Sequence, residues 1–419
     1  MRRRGLVALL GAEVVSAVGT RMSALALPWF VLATTGSATQ AGIVAFVEML
    51  PYVLASAAGG PLIDRIGGRR FSIGADAVSA LAVAAIPLFH ERIGFSGLLV
   101  LVGLAGGLRG FGDTAKHAVY PRVAEASGVE MTRAASLQDG LSRLATLLGA
   151  PAGGVLIAVL DAPAVLLFDA ATFAVAAVLV VAVRVGPAPA PEAEESYGRA
   201  LRAGLDFVRR DRLAGAIILM LLATNLFDAA YQSVLLPLWA TVIGSSVVLG
   251  FAGAAFGVGA VLGNVVFTAI APRAPRWVLF TLGFLVGGAP RFIAAGLSNE
   301  VWLIYAVAFV AGLALAAVNP ILGAVMYERI PPHMVARVQG VATAVSWGGI
   351  PLGGLIGGAV AGAVGVRWAM LSVGALYLAV SLAPLIWPVW RELDARPASS
   401  VVPRQSRPAE ERELSPDPG

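Results

Sequence analysis

Long apolar stretches fill the chain from Leu6 to Trp390, and nearly every Arg between them falls in alternate gaps. Hydrocarbon is therefore its main solvent. A bilayer core takes about 20 apolar residues per helical crossing, and only helices or closed barrels satisfy every backbone polar group there. Of 419 residues, 58% are apolar and 13% charged, far from the balance of a soluble domain. Twelve helical spans are predicted, at 6–33, 38–62, 71–90, 95–119, 134–160, 163–184, 213–242, 246–270, 277–297, 300–324, 338–362 and 366–390. Met1-Arg2-Arg3-Arg4 imitates the start of a signal peptide, but the apolar run behind it is too long and lacks a small-residue cleavage site, so the first span is read as retained.

Basic residues beside short loops stay on the cytoplasmic side during insertion. Arg2, Arg3, Arg4, Arg65, Arg69, Arg70, Arg122, Arg133, the Arg-rich stretch 199–212, Arg273, Arg276, Arg329, Arg337 and Arg391 all fall on one side, against Arg92 and Arg367 on the other. This places both termini in the cytoplasm of a multi-pass protein of a bacterial cytoplasmic membrane. The net charge of +5 then reports topology and contact with anionic lipid. No nucleic-acid motif is present. Cys is absent, which removes disulfides and thiol chemistry, and His90, His117 and His333 lack metal spacing, so no metal is expected. Without a Walker loop or dinucleotide fingerprint, neither an enzyme nor ATP-driven transport by this chain is indicated, and no cofactor is expected.

The chain divides into a six-helix bundle at 1–186, a cytoplasmic linker at 187–212, a second six-helix bundle at 213–390 and a disordered tail at 391–419. Gly186 to Glu195 is Pro-rich and acidic, and Tyr197 to Arg212 sets Leu201, Leu205 and Val208 on one face, the pattern of a helix lying on the membrane surface. The halves echo each other: Pro151-Ala152-Gly153-Gly154 has a counterpart in Pro351-Leu352-Gly353-Gly354, and Leu27-Pro28 in Leu236-Pro237. Six-plus-six repeats of this kind enclose a cavity that rocking of one half against the other opens to each side in turn.

Between spans two and three runs Gly60-Pro61-Leu62-Ile63-Asp64-Arg65-Ile66-Gly67-Gly68-Arg69-Arg70. Gly60 suits close helix approach, Gly67 a tight turn, and Asp64 pairing with Arg or a helix N-terminus. A bare positive-inside turn is the simpler alternative. The run resembles the signature loop of the major facilitator superfamily, with Gly68 where that family has a third basic residue. The resemblance implies an all-α fold of two pseudo-symmetric six-helix bundles and a cytoplasmic gate of Gly60, Asp64, Arg65, Gly67, Arg69 and Arg70. The equivalent second-half loop, Ala271-Pro272-Arg273-Ala274-Pro275-Arg276, has lost its acid, so gating chemistry is expected to be less developed there. Gly149, Pro151, Gly153 and Gly154 resemble the fifth-helix element of drug and proton antiporters, with Ala150 and Val155 replacing two of its glycines. This favours export, and the Pro kink with its glycines suits a hinge that seals the cavity; packing alone is the alternative for these residues.

A closer resemblance covers nearly the whole chain and rests on Met49-Leu50-Pro51, Ala75-Asp76-Ala77, Gly204-Leu205-Asp206-Phe207-Val208-Arg209, Leu236-Pro237 and Trp390-Arg391-Glu392-Leu393-Asp394. It is to the macrolide-efflux and enterobactin-exporter branch, above all the mycobacterial Tap-type multidrug pumps. It implies export of amphipathic antibiotics, such as tetracyclines or aminoglycosides, driven by proton entry. The chain departs from it at Asp113, where such pumps tend to carry Pro, and at Thr20-Arg21, where they tend to carry an acid.

A charge at the centre of a span costs roughly 2.5 to 3.5 kcal/mol on insertion scales, so it is kept for function or paired. The candidates for proton coupling or substrate binding are Glu13, Glu48, Arg109, Asp113, Asp139, Arg143 and Asp228, with Asn225 and Tyr231 beside Asp228 as hydrogen-bond partners. Arg109 with Asp113, and Asp139 with Arg143, stand four apart and can pair along their own helices. Glu48 has no basic residue within one turn and reads as an isolated carboxyl able to carry a proton. Arg21, Asp169 and Arg291 are further in-span charges, and Trp29, Phe111, Phe227, Tyr231 and Trp347 are aromatic surfaces for a flat ligand. The resulting expectation is a monomeric proton antiporter of amphipathic small molecules; an importer or exporter of a metabolite or siderophore, and a non-transporting receptor, are the alternatives.

Overall fold

The computed structural model describes residues 2–183, 197–331 and 334–395, and the side chains of Asp64, Asp139 and Arg143 lie outside that description, as do the linker at 184–196 and the tail from 396. Every element among the described residues is helical. The first half contains α1 (Arg2–Thr35), α2 (Ala38–Ala58), α3 (Gly60–Ile66), α4 (Gly68–Ala126), α5 (Met131–Leu160) and α6 (Ala162–Val181). After α7 (Tyr197–Arg210) come α8 (Arg212–Ala230), a π-helical turn (Tyr231–Leu235) and α9 (Leu236–Ile243), which together make one span. Next are α10 (Val247–Ile270), α11 (Arg276–Gly287), α12 (Ala289–Leu297), α13 (Val301–Leu315), α14 (Val318–Arg329), α15 (Val335–Ser381) and α16 (Ala383–Ile386), and a 3-10 turn (Pro388–Asp394) ends the described chain.

Among the described residues, ten continuous helical segments are long and apolar enough to cross a bilayer. The two longest are each two spans folded at a glycine. Were its 59 residues straight, α4 would run about 90 Å, three times the hydrocarbon thickness. Instead Gly94 adopts φ 62°, and Lys116 meets Asp76 at 2.9 Å, so the helix doubles back into two arms. Gly365 (φ 78°) turns α15 in the same way. The twelve predicted spans are thus present. The second α-helix stops at Ala58, short of the expected 62, because the chain re-enters as α3 at Gly60, and the last stops at Ile386, after which a 3-10 turn buries Trp390 against Phe280. The ninth span is broken at Gly288, where Pro290 begins the next helix.

The halves touch chiefly through two pairs of spans, α2 with α15 and α5 with α10, with smaller contacts of α1 and α2 on the seventh span. Spans two and eleven, and eight and five, exchange under a six-span shift, so one contact is the pseudo-symmetric copy of the other. The matched glycine motifs make both contacts. On α5, a Cβ added at Gly153 would stand 3.0 Å from Met22 of α1, and one at Gly154 2.9 Å from the Gly250 nitrogen of α10. On α15, Cβ atoms at Gly353 and Gly354 would crowd Ala229 of α8 at 2.8 Å and Ala45 of α2 at 2.7 Å. Each motif is a two-sided rail, with one face on the first helix of its own half and the other on the opposing half. In the absence of a hydrophobic driving force between lipid-solvated helices, such close approach is a main source of cohesion. Pro151 lies inside an unbroken α5.

These contacts lie toward the end of the bundle away from the Arg-rich loops. Ser246 donates to the Gly154 carbonyl at 3.1 Å, and Gly42 faces Gly358. About four turns further along α2, Ala57 is exposed, as is Thr343, about three turns before Gly354 on α15. The halves therefore meet at one end and splay at the basic end. Helix α7 sets Gly204 against the Arg337 carbonyl and packs Phe207 and Val208 beside Met326, Ile330 and Val338, so its apolar face is taken up by the second half and not by lipid alone.

The chain is free of Cys, which makes this asymmetry testable. A Cβ at Gly362 would lie 3.7 Å from the Thr39 Cβ, within the span of a disulfide. We expect the pair Thr39→Cys with Gly362→Cys to cross-link readily in isolated membranes, and Ala57→Cys with Thr343→Cys not to; the reverse order would contradict the splay.

Candidate functional site

The space between the halves is a cavity of about 660 Å³. Among the described residues, its charged lining comes from the first half: Glu13 and Arg21 on α1, Glu48 on α2, and Arg109, Asp113 and Lys116 on the second arm of α4. The second half contributes Ser233 and Trp347. Ser233 sits in the π-helical turn of the seventh span, where the wider turn shifts the register of the side chains.

The charges are set by how closely α2 and α4 approach. Cβ atoms at Gly106 and Gly110 would collide with the carbonyls of Glu48 and Tyr52, so the second arm of α4 lies flush on α2. Arg109 consequently reaches Glu48 at 2.9 Å, with the Tyr52 ring 4.8 Å beneath its guanidinium. This corrects two expectations. Glu48 is not isolated, and Arg109 pairs across helices and not with Asp113 one turn away, because a neighbouring helix brings a carboxylate from 61 positions away. Asp113 instead receives the Tyr52 hydroxyl at 3.5 Å, a long contact, and is the least engaged carboxylate of the cavity. Glu13 accepts both its hydrogen bonds from the Gln138 amide, at 3.0 and 3.1 Å.

Deeper in the first half, Lys116, the chain's single lysine, pairs with Asp76 at 2.9 Å, both side chains 3% exposed. Among the described residues, the second Asp76 oxygen and the hydroxyls of Ser72 and Ser79 on the same helix face have no partner. Sequence reasoning about in-span charges missed this pair; a lone lysine inside an apolar span was the available signal. Tyr52, Gln138 and Ser233 were missed as well, and as single polar residues in helices they carry no pattern. Asp169 is buried outside the cavity, where it accepts from Ser23 and Thr172.

In the second half, Asn225, Asp228 and Tyr231 do not line the cavity. Asn225 donates to the Ser346 carbonyl at 2.9 Å, and Asp228 pairs with Arg291 at 2.6 Å, so the expected hydrogen bonds from Asn225 and Tyr231 to Asp228 are replaced by an ion pair to another span. The Tyr231 ring lies 5.4 Å from the Arg291 guanidinium, a cation–π contact. Asp139 and Arg143 are outside the described side chains.

At the basic end, Gly67 turns with φ 90° and Arg69 donates to the Val181 carbonyl at 2.6 Å, where the C-terminus of α6 favours a cation. Arg65 and Arg70 are exposed. Gly60 makes no close approach; the crowded glycines are its neighbours Gly59, against Phe111, and Gly68, against Val119. The second-half loop does not lack acid partners. Arg276 binds Glu328 through two bonds of 2.6 and 2.8 Å, and Arg329 bridges Asp211 and Glu392, so the carboxylates come from α14, the linker and the terminal turn. Among the described residues, no group of three His, Cys, Asp or Glu stands ready to hold a metal.

The Major Facilitator Superfamily family description matches residues 9–249 and 218–417. The chain belongs to this superfamily. It is a multi-pass membrane transporter, not an enzyme. Among its relatives, Multidrug efflux pump Tap of Mycobacterium tuberculosis is 30% identical over 401 residues, 94% of this chain and 96% of the pump. Macrolide efflux protein A of Streptococcus pyogenes is 22% identical over 395 residues, covering 92% and 96% of the two chains. The crystal structure of nucleoside transporter NupG superposes with a TM-score of 0.74 over 91% of this chain and 98% of NupG; at 13% identity it shares the fold.

Removing one partner of a buried ion pair strands the other, whereas removing both is often tolerated. We expect Arg109→Met to lower stability in detergent by roughly 3 kcal/mol, the low end for a buried pair because the cavity admits water. Adding Glu48→Gln should recover most of that loss. Equal unfolding midpoints for the single and double variants would argue against the pair.

Proposed function

We propose that this transporter exports amphipathic, drug-like small molecules from the bacterial cytoplasm in exchange for protons, with both termini cytoplasmic and a monomer as the working unit. The observation that carries the reading is a charged cavity between halves that meet at one end and splay at the Arg-rich end, which the positive-inside rule assigns to the cytoplasm. Cargo enters there. The names of two relatives, a multidrug efflux pump and a macrolide efflux protein, support drug export.

Energy comes from the proton gradient, with no bound cofactor. Asp113 is the favoured proton carrier and Glu13 the second, since neither is tied to a base, whereas Glu48 and Asp228 are neutralised by Arg109 and Arg291. Arg109 with Glu48 fixes the α2–α4 wall against which the carriers face the cavity. Asp64, Arg65, Arg69 and Arg70 latch the cytoplasmic end when the halves rock shut, and the glycine rail from Gly149 to Gly154 is the surface on which they rock.

The reading is tested in cells lacking their own pumps. Expression should raise the inhibitory concentration of several amphipathic antibiotics, and a protonophore should abolish the gain; protection unaffected by the protonophore would sink proton coupling. Asp113→Asn should slow gradient-driven export roughly tenfold, about 1.4 kcal/mol of driving interaction, while substrate exchange without a gradient persists. Asp64→Asn should impair turnover with normal membrane insertion, and wild-type rates in that variant would remove the latch.

A further inference from the structure

We propose that Arg21 is an anion anchor in the central cavity, and that the preferred cargo carries a carboxylate on its amphipathic body. The inference rests on the export reading and adds the charge of the substrate.

Arg21 lies near the middle of a 32-residue span, where a guanidinium is costly and, unlike a lysine, cannot shed its proton. The other cations of the cavity are matched: Arg109 by Glu48 and Lys116 by Asp76. Arg21 is exposed to the cavity and, among the described residues, no carboxylate lies within ion-pair distance of it and no acceptor within hydrogen-bond distance. Nearby Arg109 adds positive potential, which Tyr52 and Asp113 oppose from beyond ion-pair distance. Glu48 is neutralised by Arg109, while Glu13 and Asp113, held by the neutral Gln138 and Tyr52, are the proton carriers of the export reading. With those carriers loaded they bear no charge, and the unmet demand is then for an anion at Arg21.

The stem of Arg21 is held. A Cβ at Gly149 would stand 2.8 Å from the Arg21 Cβ, so α5 lies directly on the root of this side chain and the fork projects from a fixed point. Water solvates the guanidinium while the basic end is splayed. When the halves close and water leaves, an acidic group on the cargo is the acceptor that replaces it, with two parallel N–H···O bonds to the planar fork. Tyr52, Met49 and Trp347 line the same cavity and offer a surface to the apolar body. Cargo would then help drive closure, because the closed state without an anion leaves Arg21 desolvated and unpaired.

The test uses a rhodamine bearing a free carboxylate and its methyl ester, with purified protein in proteoliposomes. The wild type should prefer the acid over the ester, and Arg21→Gln should raise the acid-to-ester ratio of half-saturation constants roughly tenfold, about 1.4 kcal/mol. Arg21→Lys, which keeps the charge but loses the fork, should restore part of the preference. An unchanged ratio in Arg21→Gln, in a variant that inserts normally, overturns the anchor. If the wild type transports neither dye, the export reading fails for these probes, and equilibrium binding of the same pair to wild type and Arg21→Gln decides the anchor alone: an unchanged acid-to-ester ratio of dissociation constants overturns it and a roughly tenfold rise in the variant sustains it.

Discussion

A charge in hydrocarbon is costly until it is matched, and in this transporter three ion pairs between spans tie the inner helices of each half together. Arg109 meets Glu48 across α2 and α4, Lys116 meets Asp76 across the two arms of α4, and Arg291 meets Asp228 across the second half. Each pair joins helices distant in sequence. Glycines allow the close approach: a Cβ at Gly106 or Gly110 would collide with the α2 carbonyls and push the α2 and α4 backbones apart. Ion pairing and small-residue packing are thus one device, since the second sets the distance at which the first operates.

The halves are not equivalent in chemistry, although they are in architecture. The first half supplies the charged wall of the cavity, while the second supplies Ser233 and Trp347 and spends its buried charge on the Asp228–Arg291 pair away from the cavity. The second half places further charges at the basic end. There the second half carries an extended network, in which Arg329 joins the linker residue Asp211 to Glu392 of the terminal turn, and Arg276 holds Glu328. A half with a firm outer edge moving against a half with a charged inner wall suits rocking between rigid bodies.

The two glycine rails explain how such halves stay together while free to move. Backbone-to-backbone contact at Gly154 with Gly250 and at Gly354 with Gly42 leaves no long side chains to interlock. Between these contacts and the splayed basic end, the cavity is the region where packing between the halves is absent, so water and cargo share it. Arg21 stands in that region with its root clamped by Gly149 and its fork unmet among the described residues.

Much of this was legible in the sequence. Spans, their number and the Arg-bearing side follow from hydropathy and charge position, because the bilayer acts on each segment locally as it inserts. The repeat of Pro151-Ala152-Gly153-Gly154 at Pro351 marked both inter-half contacts, since a packing surface of small residues is written in consecutive turns of one helix. Partners of charge were not legible. Glu48 reads as alone and Asp113 as the companion of Arg109 because sequence displays only neighbours along one helix, whereas a partner 61 residues away is chosen by helix approach and rotation. The sequence by itself determined which segments cross the membrane and which residues bring charge into it. Tertiary structure alone decided which of those charges cancel and which, like Arg21, are left facing the cavity, because electrostatic pairing in a low-dielectric interior depends on distances between helices that no local pattern encodes.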